Sequence, residues 1–135
     1  MKKITLILAT ATVVILFFFT GCEKLHRNSY TGKWDFVVIH RWGAYYESNY
    51  DTIYYSGKIN IGGTYNTLVV EYMKKTKIKM EVDECGQLFK EYEDPHEIAV
   101  GKFFGNDSVE IELGYRALGG GDLYFITGNK INRRR

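Results

Sequence analysis

From residue 30 onward, apolar and polar positions alternate with a period of two, the spacing of strands with one face hidden from water. WDFVVIHRW, residues 34–42, puts Trp34, Phe36, Val38, His40 and Trp42 on one face. IYYSGKINI (53–61) groups Ile53, Tyr55, Gly57, Ile59 and Ile61, and TLVVEYM (67–73) turns Leu68, Val70 and Tyr72 inward. KIKMEVD (77–83) sets Ile78, Met80 and Val82 against Lys77, Lys79, Glu81 and Asp83. QLFKEY (87–92) is a weaker strand, and IAVGKFF (98–104) follows it. SVEIELGY (108–115) opposes Val109, Ile111, Leu113 and Tyr115 to Glu110 and Glu112, and DLYFITG (122–128) is the last strand. Gly62-Gly63, Lys74-Lys75, ECG, the EDPHE segment, GND and LGGG punctuate these runs as turns. The longest early connection is RWGAYYESNYD, with Tyr45, Tyr46 and Tyr50 as a lid or contact loop.

About eight short strands with short connections make antiparallel neighbours. The pattern predicts an all-β domain, an antiparallel meander of about eight strands closed into a small barrel over residues 30–135. A barrel within a membrane would turn Lys77, Lys79, Glu81, Glu110 and Glu112 toward lipid, at about 2–4 kcal/mol for each basic residue near mid-membrane. Strands of about seven residues also fall short of the roughly 9–11 that span a bilayer. The apolar face therefore belongs inside, where Trp34, Phe36, Trp42, Tyr55, Tyr72, Phe104, Tyr115 and Phe125 either fill the interior or line an open cavity.

The first residues follow another rule. Lys2 and Lys3 precede an uncharged apolar run over residues 4–20, the layout of a secretory signal. As a helix that run reaches roughly 25 Å, short of a hydrocarbon core about 30 Å thick. Phe19-Thr20-Gly21-Cys22 then resembles a bacterial lipobox. That resemblance implies a signal peptide over 1–21, cleavage before Cys22, acyl chains on Cys22 and a tether over 22–29. The bilayer would then be a partner through acylated Cys22.

Composition narrows the partners further. With 18 basic and 16 acidic residues, loss of Lys2 and Lys3 leaves almost no net charge, so nothing favours nucleic acid. The terminal NRRR, a small basic cluster, reads as a solvated tail rather than a phosphate or lipid contact. Of two cysteines, Cys22 is assigned to lipid, which leaves Cys85 as a lone thiol in a turn.

YTGKWDF near the start of the barrel, a Gly-x-Trp on a first strand, resembles the calycins, which include lipocalins, fatty-acid-binding proteins and avidins. In order, YTGKWDFVV, IYYSGKI, GKFFGND, LGGG and TGNK look like small lipocalin-like lipoproteins of Bacteroidetes. The calycin resemblance implies that Trp34 packs at a closed barrel end under a late-strand arginine, for which Arg116 is the candidate. In that phylum surface export follows an acidic run after the cysteine. CEKLHRN has none, which points to the periplasmic face of the outer membrane.

No arrangement of catalytic residues emerges. His26 lies in the tether, His96 in the EDPHE turn, and His40 shares the aromatic face with Trp34 and Trp42. No pair of metal-ligand motifs, phosphate loop or nucleophile elbow accompanies them, so no enzyme activity, cofactor or metal is expected. Two functions remain. One is a lipid-anchored barrel binding a small apolar or amphipathic ligand, with Trp34, His40, Trp42, Tyr46, Tyr55 and Tyr115 as candidate contacts. The alternative is a cell-envelope interaction or structural lipoprotein with a packed, ligand-free barrel.

Overall fold

The computed structural model describes residues 27–44 and 47–132. A 3-10 turn (Arg27–Tyr30) leads into eight described strands: β1 (Gly32–Ala44), β2 (Glu47–Ile61), β3 (Thr67–Met73), β4 (Thr76–Val82), β5 (Gln87–Phe89), β6 (Glu97–Phe104), β7 (Ser108–Ala117) and β8 (Gly120–Lys130). Each pairs antiparallel with the next, and β8 returns to β1, which closes the barrel. The meander read from the alternation is the observed fold. Closure gives every edge a neighbour and so removes the unpaired rim of an open sheet.

The alternation decides what faces inward. On β7, Val109, Ile111 and Leu113 are buried, whereas Glu110 is exposed and Glu112 half-buried. Inside, Trp34, Phe36, Val38, Ile59, Leu68, Val70 and Met80 are 1 % exposed or less. Three inward glycines lie across from bulky residues in register: Gly57 from Trp34, Gly101 from Ile111 and Gly128 from Phe36. A Cβ on Gly128 would stand 2.7 Å from the Phe36 ring and 2.8 Å from Val109. Small opposite large is how a narrow barrel reaches interior packing density.

That volume matching corrects two filler assignments. Phe104 lies outside, 48 % exposed, and Phe103 is the inward residue at 2 %. Phe125 also faces out, because Ile126 and Gly128 are aligned with the inward Val38 and Phe36. Both strands carry apolar residues on both parities, so alternation alone does not choose between them.

One end of the barrel is plugged. Tyr30 stacks on Phe103 with ring centroids 3.8 Å apart, and the Trp34 Nε1–H donates to the Tyr30 carbonyl at 2.9 Å. Lys130 is opposite Trp34 in register and donates from Nζ to the Ser29 carbonyl at 2.6 Å. Arg116 is not the basic partner of Trp34: it lies toward the far end of the barrel, paired with Gly121 and bonded to Glu112. In the β4–β5 turn, Asp83 Oδ1 accepts from the Cys85 and Gln87 amides, at 2.8 Å each. Cys22, the only other cysteine in the sequence, lies outside the described residues, as do the proposed signal peptide and its cleavage site.

The other end is cut obliquely. β1, β2 and β8 are 13, 15 and 11 residues long, against 7 for β3 and β4 and 3 for β5. The stretch expected as a long loop is mostly strand: β1 and β2 pair from Gly32–Ile59 up to Ala44–Glu47. β2 meets β3 only from Lys58 to Ile61. The upper parts of β1, β2, β7 and β8 therefore stand as a wall above the shorter strands.

Candidate functional site

Parity puts His40 and Trp42 of β1, Asp122 and Tyr124 of β8 and Tyr115 of β7 on the inner side of that wall. Register makes neighbours of His40 and Tyr124, Trp42 and Asp122, and Tyr115 and Asp122. His40 stacks against Tyr124 at 4.3 Å between centroids with parallel planes, and against Trp42 at 4.5 Å. Its Nε2 lies 2.6 Å from Asp122 Oδ1, which fixes the ring's orientation. With no strand facing it across the cut rim, Trp42 is still 37 % exposed and Tyr115 41 %. The result is an aromatic shelf with a polar pair at its edge, open to solvent.

The floor beneath the shelf is tyrosine-rich. Tyr72 is nearly buried, and Tyr55, Tyr92 and Tyr124 pack against the core. Burial pushes the Tyr72 hydroxyl's pKa above its ordinary value, with smaller upward contributions from Tyr124 and Tyr92. Tyr124 is raised by burial and then by Asp122. Tyr55 donates to Glu71 Oε1 at 2.9 Å, and that bond is the main reason its pKa is raised. At the rim, His96 takes its place through Nδ1, 3.1 Å from the Arg116 carbonyl, and its ring lies 5.7 Å from that of Tyr115.

Of the sequence candidates, His40, Trp42 and Tyr115 thus belong to the open end, with Tyr55 beside them in the wall. Trp34 does not: it is fully buried in the plugged end and belongs to the core. Tyr46 and Cys22 lie outside the described residues. Asp122 and Tyr124 were not foreseen. Tyr124 was hidden by the ambiguous parity of β8; aligning Ile126 with Val38 would have found it. Among the described residues no group of three or more His, Cys, Asp or Glu side chains could hold a metal ion.

No family model, curated protein or solved structure matches this chain. The fold itself, a closed eight-stranded antiparallel barrel, and the chemistry of its open end therefore carry the functional reading.

Proposed function

We propose that the protein is a lipid-anchored, non-catalytic binding module of a bacterial cell envelope. Its barrel takes one small apolar or amphipathic molecule on the shelf formed by Trp42, His40 and Tyr124. The observation that carries this reading is the stack itself: three rings in contact, oriented by Asp122, and left partly accessible. Such a surface offers a flat ligand stacking area and one polar group to bond, the usual ingredients of a small-molecule site. Because the interior from Trp34 to Val70 is filled, the ligand rests at the mouth rather than deep within the barrel. That filled interior favours the alternative, an interaction module whose open end grips an exposed side chain of a partner protein.

Anchoring rests on the lipobox-like FTGC. The 3-10 turn, whose Arg27 donates to the Thr64 carbonyl beside the β2–β3 turn, begins at the plugged end. A tether over residues 22–26 reaches about 17 Å at most. Acylation at Cys22 would hold the plugged end near the bilayer and point the shelf away from it. Native mass spectrometry of the full chain purified from its own host tests the ligand reading. A reproducible small adduct that disappears in Trp42→Ala supports it; bare protein under gentle conditions, in both chains, refutes it.

A further inference from the structure

The outer side of the same strand ends carries a second recess. Arg41 and Gly43 of β1, Gly121 and Leu123 of β8 and Arg116 of β7 alternate with the shelf residues and so face outward. Register makes neighbours of Arg41 and Leu123, of Gly43 and Gly121, and of Gly121 and Arg116. Between them lies a cavity of about 220 Å³, many times the roughly 10–15 Å³ that one water needs. Neither glycine beside it has room for a side chain. A Cβ on Gly43 would meet the Glu47 carbonyl at 2.5 Å, and one on Gly121 the Tyr115 carbonyl at 2.5 Å. Leu123 forms an apolar floor, only 5 % exposed despite facing outward.

The two guanidiniums are underused. Arg41 donates from Nε to Ser48 Oγ at 3.2 Å, and among the described residues no carboxylate lies within salt-bridge distance of it. Arg116 donates from Nη2 to Glu112 Oε1 at 2.5 Å, which steadies it and spends a single N–H. Each guanidinium carries five N–H donors. Asp122, the single carboxylate of β8, faces the shelf and is bonded to His40. Two positive charges therefore border the recess, against one neutralising carboxylate.

We propose that this recess binds an oxyanion, the phosphate or carboxylate group of a small molecule, gripped between Arg41 and Arg116 over the Leu123 floor. Guanidinium groups present paired N–H donors that match both groups. The site is separate from the shelf, on the opposite face of the sheet, and its occupancy does not require a ligand there.

The test is a titration of the full chain in detergent micelles at constant ionic strength, read by the amide resonances of Gly43, Gly120 and Gly121. Inorganic phosphate, acetate and soluble dihexanoyl phosphatidic acid are the probes. The proposal expects saturable shifts with at least one of them, weakened about tenfold or more in Arg41→Gln and in Arg116→Gln, both with unchanged melting temperature. Saturation by inorganic phosphate or acetate identifies a soluble anion, and saturation by phosphatidic acid alone identifies a lipid headgroup. Shifts that stay linear with every probe, or that survive undiminished in both variants, overturn the proposal.

Discussion

Phe103 and Phe104 are adjacent and chemically identical, yet the barrel treats them oppositely. Phe103 is 2 % exposed, stacked on Tyr30 at 3.8 Å and 5.9 Å from the Trp34 ring. Truncating such a residue to alanine removes its transfer energy and leaves a cavity, a loss of about 3–5 kcal/mol. The stacked pair is included in that range and pushes it toward the upper half. Phe104 lies on the outer face, 48 % exposed, with the Lys102 ammonium 5.8 Å from its ring. Half-burial of a phenylalanine contributes roughly 1 kcal/mol, so Phe104→Ala should cost about that or less. Against a total stability of about 5–15 kcal/mol, the first change is severe and the second minor. The assay is urea unfolding followed by tryptophan emission, with the slope m checked for constancy. Thermal melts should agree, with a fall of at least about 12 °C for Phe103→Ala, at roughly 4 °C per kcal/mol. Equal costs, or a larger one for Phe104→Ala, would refute the assignment of inner and outer faces on β6.

The two tryptophans should report the two ends of the barrel: acrylamide quenches the emission of Trp34→Phe, which keeps Trp42, and spares Trp42→Phe, which keeps the buried Trp34. Equal quenching of both variants would contradict the plugged end. Tyr72, Tyr124 and Tyr30 have raised pKa values, all chiefly through burial, so the folded state keeps protons that the unfolded chain releases above pH about 10. Their contribution is fully present below that pH and is lost as pH rises toward the folded values. Melting temperature should fall steeply above pH 10, less so in Tyr72→Phe; a flat profile to pH 11 would contradict it. Peptide mapping of protein extracted from membranes without reductant should find acyl mass on the Cys22 peptide. A Cys22 peptide joined to the Cys85 peptide by a disulfide, with no acyl mass, would remove the anchor from the account.

How far the sequence carried the structure depended on where polarity and parity coincided. In β4 and β7 the charges Lys77, Lys79, Glu81 and Glu110 sit on one parity and Met80, Val82, Val109 and Ile111 on the other, so the inner face was legible. In β6 and β8 both parities are apolar. There, volume decided: Gly101 and Gly128 face in because Ile111 and Phe36 already occupy the space across from them. Residues 43–52 looked like loop because Gly43 and the polar Ser48, Asn49 and Asp51 break the apolar pattern. In the protein residues 43–44 and 47–52 are wall standing above the packed core, where a strand needs no apolar face. His40 and Trp42 were legible as open-end residues because they continue the Trp34 face upward. Asp122 and Tyr124 required the β1–β8 register, a long-range pairing that no local signal encodes.

The most direct measurement of the central claim is a fluorescence titration of the full chain with the neutral amphiphile N-phenyl-1-naphthylamine, comparing wild type with Trp42→Ala and Tyr124→Ala. An aromatic shelf at the barrel mouth predicts one saturable site per chain and its loss in both variants, with Phe104→Ala unaffected. No saturable binding by the wild type, or equal binding by all four chains, would contradict it.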